Sequence, residues 1–308
     1  MHWKTVQGRD YLYHKVSGVS KSLGLRTGET QRVYDSFVAG RDALKARLAQ
    51  LDKAIRDAAP VDRAMGLGRV PTTVAKIIRK LDDHDFLSHG ISIVGTNALF
   101  AYERMAGGHF EGGLLATGDV DLLIDARQRL RLVSPSQTSD GLSAILRQVD
   151  KSFSAVAPGA FRAVNDSGLT VDLIQPMPKS PSQQRSPARV GDSDDLTAIE
   201  IEGLQWLQNA PQHEVVAIDE RGFPLMLAVP DPRAFALHKL WVSERPDRDP
   251  LKARRDRAQA QAIATIIKRY LPDLSFDDAS LTAVPLELTR RAVELTASTD
   301  DSTADDWR

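Results

Sequence analysis

The sequence predicts a mixed α/β (α+β) fold, in which a mixed-sheet core lies between an N-terminal helical arm and a C-terminal helical bundle. Two observations support this prediction. Near both ends of the chain, apolar residues recur at the three- and four-residue spacings of amphipathic helices. In the middle, short apolar runs alternate with glycine, asparagine and serine, which is typical of strands joined by turns.

The N-terminal arm is assigned to residues 1–87, and its first 27 residues mix aromatic and basic side chains. From residue 30 to residue 58 the apolar spacing predicts a long helix with one apolar seam, which suits core packing or a dimer helix. A second helix is predicted over residues 71–83, because Pro71 suits a first helical turn. The seam consists of Phe37, Leu44, Leu48, Leu51 and Ile55.

Residues 88–230 are predicted to form the α/β core. A strand over residues 91–95 leads into a helix over residues 96–106, and a second strand covers residues 119–125. Two more strands flank an Asn-Asp-Ser-Gly turn within residues 161–177. Further predicted elements are a helix over residues 141–153, a mobile Pro- and Ser-rich loop over residues 178–195, and short strands within residues 198–207 and 213–229.

A helical domain is predicted over residues 231–296, followed by an acidic tail over residues 297–308. Its helices are expected over residues 232–244, 251–271 and 288–297, where apolar residues return to helical spacing.

The composition limits the classes of protein to consider. The 308 residues are 42% apolar and carry a formal net charge of −1, so a core is expected but no global basic field for nucleic acid. The absence of cysteine excludes disulfides, cysteine-bound zinc and a thiol nucleophile. No signal peptide or membrane span is evident, and a cytoplasmic location is expected.

Gly95, Thr96 and Asn97 stand between a predicted strand and a predicted helix. A glycine there lets a phosphate approach the backbone, and a helix start offers N–H groups to an anion. The Thr96 hydroxyl adds a donor. The three residues therefore form a candidate phosphate-binding turn.

Three carboxylates are expected on neighbouring strands. Asp119 and Asp121 share one face of a strand, because residues two apart point the same way. Asp172 lies in a second apolar strand. Carboxylate oxygens suit Mg²⁺ or Mn²⁺, and two such ions can assist displacement at phosphorus. The pattern predicts a metal site at which a nucleotide binds.

This order of residues resembles the polymerase-β-type nucleotidyltransferase superfamily. Members carry Gly-Ser, a short helix, Asp-x-Asp at a strand start and a third Asp on a later strand. Gly95 and Thr96 match the Gly-Ser turn, Asp119 and Asp121 match the metal pair, and Asp172 matches the third carboxylate. Thr96 replaces the usual serine, and a longer gap separates it from Asp119, as in a divergent bacterial-type branch.

The resemblance covers residues 88–177 and implies a metal-dependent transferase that binds an NTP, ATP among them, with two Mg²⁺ or Mn²⁺ ions. It implies transfer of NMP to a hydroxyl and release of pyrophosphate. Asp119 and Asp121 would ligate both metals, and Asp172 would ligate the catalytic metal and help take the acceptor proton. The turn at residues 95–97 would hold the β and γ phosphates.

The C-terminal helices contain further candidates. Lys239 resembles, in its placement, a phosphate-contacting lysine of minimal and abortive-infection-type nucleotidyltransferases. Alternatively, it extends along apolar neighbours to the surface. Lys252 and Arg255 lie in a basic run that could contact phosphate or acceptor, or could form a solvated, salt-bridged helix face.

The acceptor is left open by the sequence: RNA (tRNA included), a protein side chain or a small molecule. Oligomeric state, base preference and biological setting, whether housekeeping, toxin or phage defence, are also open. The alternative to an enzyme is a nucleotide-sensing or RNA-binding module that keeps the fold without turnover. No GxGxxG follows a predicted strand and no GxxxxGK[ST] occurs, so dinucleotide-binding and P-loop folds lack support.

Overall fold

The computed structural model describes residues 1–16, 18–87, 90–125, 127, 141–178, 187–191 and 194–297. Most of the predicted loop at 178–195 and nearly all of the predicted acidic tail lie outside the described residues. No helix in the described part of the chain is long and apolar enough to cross a membrane.

The first 25 residues form a three-stranded antiparallel meander, so the prediction of a helical arm is wrong for this segment. Its strands are β1 (His2–Val6), β2 (Arg9–Val16) and β3 (Val19–Leu25). Gln7 and Gly8 join the first two strands with φ of 50° and 74°. Two consecutive positive φ angles suit a tight hairpin turn and cannot continue a helix.

Helix α1 (Gly28–Ala64) follows the meander and is longer than predicted. The Thr27 side chain caps it by accepting from the Thr30 backbone N–H. Near its start Tyr34 packs against Trp3, with ring centroids 5.5 Å apart. Within α1 only Ala59 is fully buried, so the predicted apolar seam is not part of this chain's core.

One six-stranded mixed sheet carries the centre of the molecule, and the predicted strands at 91–95, 119–125 and 161–177 are confirmed. The strand order is β4-β5-β8-β7-β6, with β9 beside the far half of β8. Strands β5 and β8 run parallel, whereas β4 and β7 are antiparallel to their neighbours. The strands are β4 (Ile91–Val94), β5 (Asp119–Ile124), β6 (Ser154–Ala155), β7 (Arg162–Val164), β8 (Thr170–Pro176) and β9 (Ile199–Ile201).

The remaining elements surround this sheet. A hairpin of β10 (Gln212–Ile218) and β11 (Pro224–Pro230) forms a separate two-stranded sheet. The helices are α2 (Thr72–Asp83), α3 (Leu99–Ala106), α4 (Gly112–Leu115), α5 (Leu142–Val149), α6 (Leu204–Asn209), α7 (Pro232–Ser243), α8 (Pro250–Tyr270), α9 (Leu286–Arg290) and α10 (Ala292–Ala297).

Two further predictions need correction. The end of the segment predicted as strand at 198–207 is the start of α6, because Gly203 turns the chain with φ of 86° and places Leu204 and Leu207 in the core. Helix α2, assigned to the N-terminal arm, packs in the same hydrophobic core as the sheet. That core continues through α7 and α8, so no boundary in packing falls at residue 87 or 230.

Helices α7 and α8 begin at matching Asp-Pro pairs. Asp231 accepts from the backbone N–H of Arg233, and Asp249 accepts from those of Leu251 and Lys252. Proline suits the first helical position, because its missing N–H has no partner there. These caps fix the starts of the two helices that pack against the candidate site.

Candidate active site

The chain turns sharply at Gly95, where β4 ends and a 3₁₀ turn (Gly95–Ala98) leads into α3. Gly95 has φ of 64°, a conformation that other residues rarely adopt. A Cβ atom at this position would overlap the carboxylate of Asp121. The absence of a side chain at Gly95 therefore lets the Asp121 carboxylate lie directly against the turn.

The pairing of β5 with β8 sets the three predicted carboxylates side by side. Asp121 is directly opposite Asp172 in the parallel register, and Asp119 is opposite Thr170. Neighbouring strands lie about 4.8 Å apart, and residues 119 and 121 share one face. Asp172 is buried, while Asp119 and Asp121 are partly exposed. The structure thus brings together the residues that the sequence predicts as a carboxylate cluster.

Crowding of negative charge changes the acidity of Asp121. Burial, together with the nearby Asp119 and Asp172 carboxylates, raises the pKa of Asp121 to about 7. Lys239 and Arg162 oppose this shift with their positive charges, but they do not cancel it. No described residue makes a hydrogen bond or ion pair with the Asp121 carboxylate, which leaves it able to take a proton or an external cation.

Arg162 on β7 holds the third carboxylate. Its Nε and Nη2 donate to Asp172 Oδ1 and Oδ2 at 2.7 and 2.6 Å, a bidentate ion pair. The two residues are opposite each other in the β7–β8 hairpin. Asp172 is therefore already neutralised, unlike Asp121.

Asp119 is oriented from two sides. The Thr117 hydroxyl donates to Asp119 Oδ1, and Asn97 Nδ2 donates to the Asp119 carbonyl at 2.7 Å. Asn97 therefore ties the 3₁₀ turn to the start of β5. Its side-chain oxygen is buried without a partner among the described residues.

Helix α8 reaches the same turn from the C-terminal region. Gln259 Nε2 donates to the Leu114 carbonyl at 2.7 Å and to the Thr96 hydroxyl at 3.3 Å. Arg255 Nη1 donates to the Ala116 carbonyl at 2.9 Å, just before β5. The buried Gln259 Oε1 and Arg255 Nε have no partner among the described residues. Residues far apart in sequence therefore line the two segments that carry the candidate site.

Lys239 is buried on α7, so the alternative that it extends to the surface is wrong. Its Nζ donates to Asp256 Oδ1 at 2.7 Å, and Arg248 pairs with the other oxygen. Although burial acts in the opposite direction, Lys239 and Arg248 keep the pKa of Asp256 below its ordinary value. The positive charge of Lys239 acts on Asp121 and lowers its pKa.

Lys252 is exposed in the first turn of α8, and no described contact links its side chain to the carboxylates. Arg162 and Gln259 are the site residues that the sequence interpretation missed. Arg162 could have been found, because folding residues 161–177 about the predicted turn places it opposite Asp172. Gln259 gives only a weak signal, a polar residue within an otherwise apolar helix face.

The donor set fits a hard divalent cation at Asp119 and Asp121. Two carboxylates share one face, and one of them, whose pKa is raised by burial and by its neighbouring carboxylates, has no partner among the described residues. No group of three His, Cys, Asp or Glu side chains in the described part of the chain is arranged to hold a metal. Arg162 engages both oxygens of Asp172.

A family model and one solved structure are similar to this chain. A family model described as nucleotidyltransferase matches residues 72–285, which is more than half of the chain. One solved structure with detectable similarity is an antigenic nucleotidyltransferase-like protein from Paracoccidioides brasiliensis. It has 16% identity and a TM-score of 0.34, over 75% of this chain and 94% of that one. No curated protein matches the sequence.

The raised pKa of Asp121 predicts how stability depends on pH when metal is absent. Because the pKa of Asp121 is higher in the folded than in the unfolded protein, ionisation of Asp121 lowers the free energy of unfolding. This loss is absent below about pH 4 and complete above about pH 8. In EDTA at pH 8, Asp121→Asn should therefore raise the free energy of unfolding by about 1–3 kcal/mol. Urea unfolding of both proteins between pH 4 and pH 8.5 measures this difference.

Asp166→Asn is the control, because it makes the same chemical change at an exposed residue of the β7–β8 turn. It should alter the free energy of unfolding by less than about 0.5 kcal/mol. Addition of Mg²⁺ at pH 8 should stabilise the wild type and leave Asp121→Asn unchanged. Equal stability of wild type and Asp121→Asn at every pH would show that the Asp121 carboxylate is not crowded.

The contact between Gly95 and Asp121 can be tested with a matched pair of glycines. Gly95 and Gly107 have similar φ angles, 64° and 67°, but a Cβ meets nothing within 4 Å at Gly107. Gly107→Ala should therefore cost only the backbone strain, roughly 1–2 kcal/mol. Gly95→Ala should cost more and should also abolish stabilisation by Mg²⁺ in a thermal shift assay. The same Mg²⁺ response in both variants would show that Asp121 does not depend on the turn.

Proposed function

The chain belongs to the nucleotidyltransferase family whose model it matches, and on this premise we propose that it transfers NMP from an NTP to a hydroxyl acceptor, releasing pyrophosphate. One observation carries the proposal. Asp121 faces Asp172 across β5 and β8, with Asp119 on the same face and the Gly95 turn against it. This combination places cation-binding carboxylates beside a backbone turn that can accept phosphate.

Asp119 and Asp121 would hold Mg²⁺ or Mn²⁺, with Asp172 as the third carboxylate once Arg162 releases it. When bound, the metal stabilises charge on the phosphoryl and pyrophosphate oxygens and favours ionisation of the acceptor hydroxyl. The acceptor oxygen forms a bond to the α-phosphorus while the bond to the β-phosphate oxygen breaks. Once released by Arg162, Asp172 would also take the hydroxyl proton, because a carboxylate freed from its ion pair can accept a proton from the acceptor.

The triphosphate would lie along the 3₁₀ turn. Gly95 brings backbone close to the ligand, and the Thr96 hydroxyl is held toward α8 by Gln259. From α8, Arg255 has a buried guanidinium N–H without a partner among the described residues. From α7, Lys239 contributes charge through its buried network with Asp256. These groups would order the phosphates and offset their negative charge.

The chemistry defines the acceptor only as a compound that carries a hydroxyl group. A hydroxyl on RNA (tRNA included), on a protein side chain or on a small molecule can attack the α-phosphorus equally well. The described residues of the site contain no element that selects one of these acceptors. The base of the nucleotide is left open for the same reason.

The Arg162–Asp172 ion pair favours a second candidate function. A bidentate arginine on a buried carboxylate removes one ligand from the metal set. If this pair persists with nucleotide bound, the protein binds nucleotide without turnover and acts as a sensing module. The two candidates therefore differ in whether Arg162 separates from Asp172.

A label-transfer assay tests the proposed reaction. The protein is incubated with each α-³²P-labelled NTP and Mg²⁺, and with total RNA, lysate protein or small-molecule extract as acceptor. Wild type should label one acceptor class. Asp121→Asn should lower the rate by roughly 10²–10⁴-fold, because the loss of one carboxylate removes several kcal/mol of transition-state stabilisation.

Asp166→Asn again serves as the control and should retain the wild-type rate. Full activity in Asp121→Asn would exclude the carboxylate site. If no acceptor is labelled with any NTP but nucleotide raises the melting temperature of the wild type, the sensing module is the better description.

A second experiment, on Arg162, tests whether Asp172 can join the metal site, which the transferase requires and the sensing module does not. Removing it leaves Asp172 buried and unpaired, so Arg162→Ala should destabilise the metal-free protein by about 1–3 kcal/mol. The freed carboxylate should also lower the Mg²⁺ concentration needed for half-maximal thermal stabilisation by about tenfold. Arg162→Lys keeps the charge but loses the bidentate geometry, so its Mg²⁺ requirement should lie between those of the wild type and Arg162→Ala. An unchanged Mg²⁺ requirement in Arg162→Ala would mean that Asp172 never joins the metal site.

A further inference from the structure

The middle of α1 lies on the surface of the chain without burial. Every residue from 39 to 58 is exposed, a segment about 30 Å long. The helix packs near its ends, through Tyr34 against the meander and through the buried Ala59, and Ile55 lines a groove with Phe223. Most helical stability in proteins comes from packing one face, and most of this segment has little packing within its own chain. The segment therefore has the properties of a helix whose partner is another chain.

The exposed apolar side chains of this segment follow a heptad pattern. Leu44, Leu48, Leu51 and Ile55 are spaced by four, three and four residues, and they are 68%, 66%, 44% and 38% exposed. This is the alternation of a and d positions in a coiled coil. Ala58 continues it by three residues toward the C-terminus. The exposed parts of these side chains become buried when a second helix packs against the seam.

We propose that a second copy of this chain covers the seam, with the two α1 helices packed antiparallel around a twofold axis. In this alignment Leu44 faces the partner's Ile55, and Leu48 faces the partner's Leu51. Each pair occurs twice, so the four seam residues of both copies are used. The contact is self-complementary, as a twofold interface requires.

The charges along α1 select the antiparallel orientation. Arg41 occupies the next seam position before Leu44, so a parallel pair would place two Arg41 guanidinium groups against each other. In the antiparallel pair Arg41 instead faces the partner's Ala58. Lys45 and Asp52, which flank the seam, then approach each other across the interface at two symmetric places. Asp52 is exposed and paired only with Arg56 on its own helix.

The expected affinity is modest. Each helix contributes a footprint of about 30 Å by about 10 Å, which is at the small end of specific interfaces. A dissociation constant in the micromolar range is therefore expected. The inference rests on α1 alone and does not depend on the proposed transferase activity.

Sedimentation equilibrium of the full chain between 1 and 200 µM tests the proposal. The wild type should change from 33.8 kDa toward twice this mass as its concentration rises. Leu48→Glu should raise the dissociation constant at least about 100-fold, because it places two charges in the seam. Since Leu48 is exposed in the single chain, the variant should keep the wild-type circular dichroism spectrum and melting profile at low concentration.

Ala46→Glu is the matched control, because Ala46 is equally part of the exposed segment but lies on the helix face opposite the seam. It should dimerise like the wild type. A wild type that stays monomeric at 200 µM would overturn the proposal. So would a Leu48→Glu variant that dimerises as tightly as Ala46→Glu.

Orientation is tested by crosslinking, with no background because the chain lacks cysteine. Protein carrying Leu44→Cys is mixed with protein carrying Ile55→Cys and then oxidised. An antiparallel dimer should give the mixed disulfide and little of either homodimeric one. A predominant disulfide between two Leu44→Cys chains would show parallel packing and contradict the proposed orientation.

Discussion

The carboxylate of Asp121 lies against the backbone of Gly95, and the arrangement of the candidate site depends on this contact. A side chain at residue 95 would occupy the same space, so the turn that ends β4 and the carboxylate on β5 fix each other's position. The parallel register of β5 and β8 then places Asp172 beside Asp121. Because strand pairing fixes the position of each carboxylate along its strand, the sheet, and not a loop, sets the geometry of the cluster.

The C-terminal helices complete the site. Gln259 links α8 to Thr96 and to the carbonyl of Leu114, and Arg255 contacts the carbonyl of Ala116. The buried Lys239 and Asp256, together with the partly exposed Arg248, join α7 to α8 and leave one positive charge in excess. A buried ion pair contributes little net stability, because desolvation offsets the attraction. Its position next to three carboxylates indicates an electrostatic role, since it opposes their mutual repulsion.

The sequence predicts those parts of the fold and site that are local. The order of strand, glycine turn and helix around Gly95 is confirmed, because neighbouring residues determine it. The N-terminal meander is not predicted, because only Leu12 in its three strands is fully buried and the segment therefore lacks a clear alternation of apolar and polar residues. The contact of Gln259 with Thr96 joins residues 163 positions apart, and no spacing rule predicts such a pair. Arg162 is an intermediate case, because predicting its contact with Asp172 requires only the register of the β7–β8 hairpin.

The charges of the site define what it must bind. Arg162 neutralises Asp172, and the trio of Lys239, Asp256 and Arg248 carries one net positive charge, of which Lys239 acts on Asp121. One negative charge is left over, and at acidic pH a proton on Asp121 removes it, as its pKa near 7 shows. Above that pH the proton leaves, and the carboxylate has no partner among the described residues. If the proposed divalent cation binds here, it competes with a proton for the Asp121 carboxylate. Under the same proposal, a triphosphate brings negative charge of its own, so it favours the cation over the proton and binds best together with it.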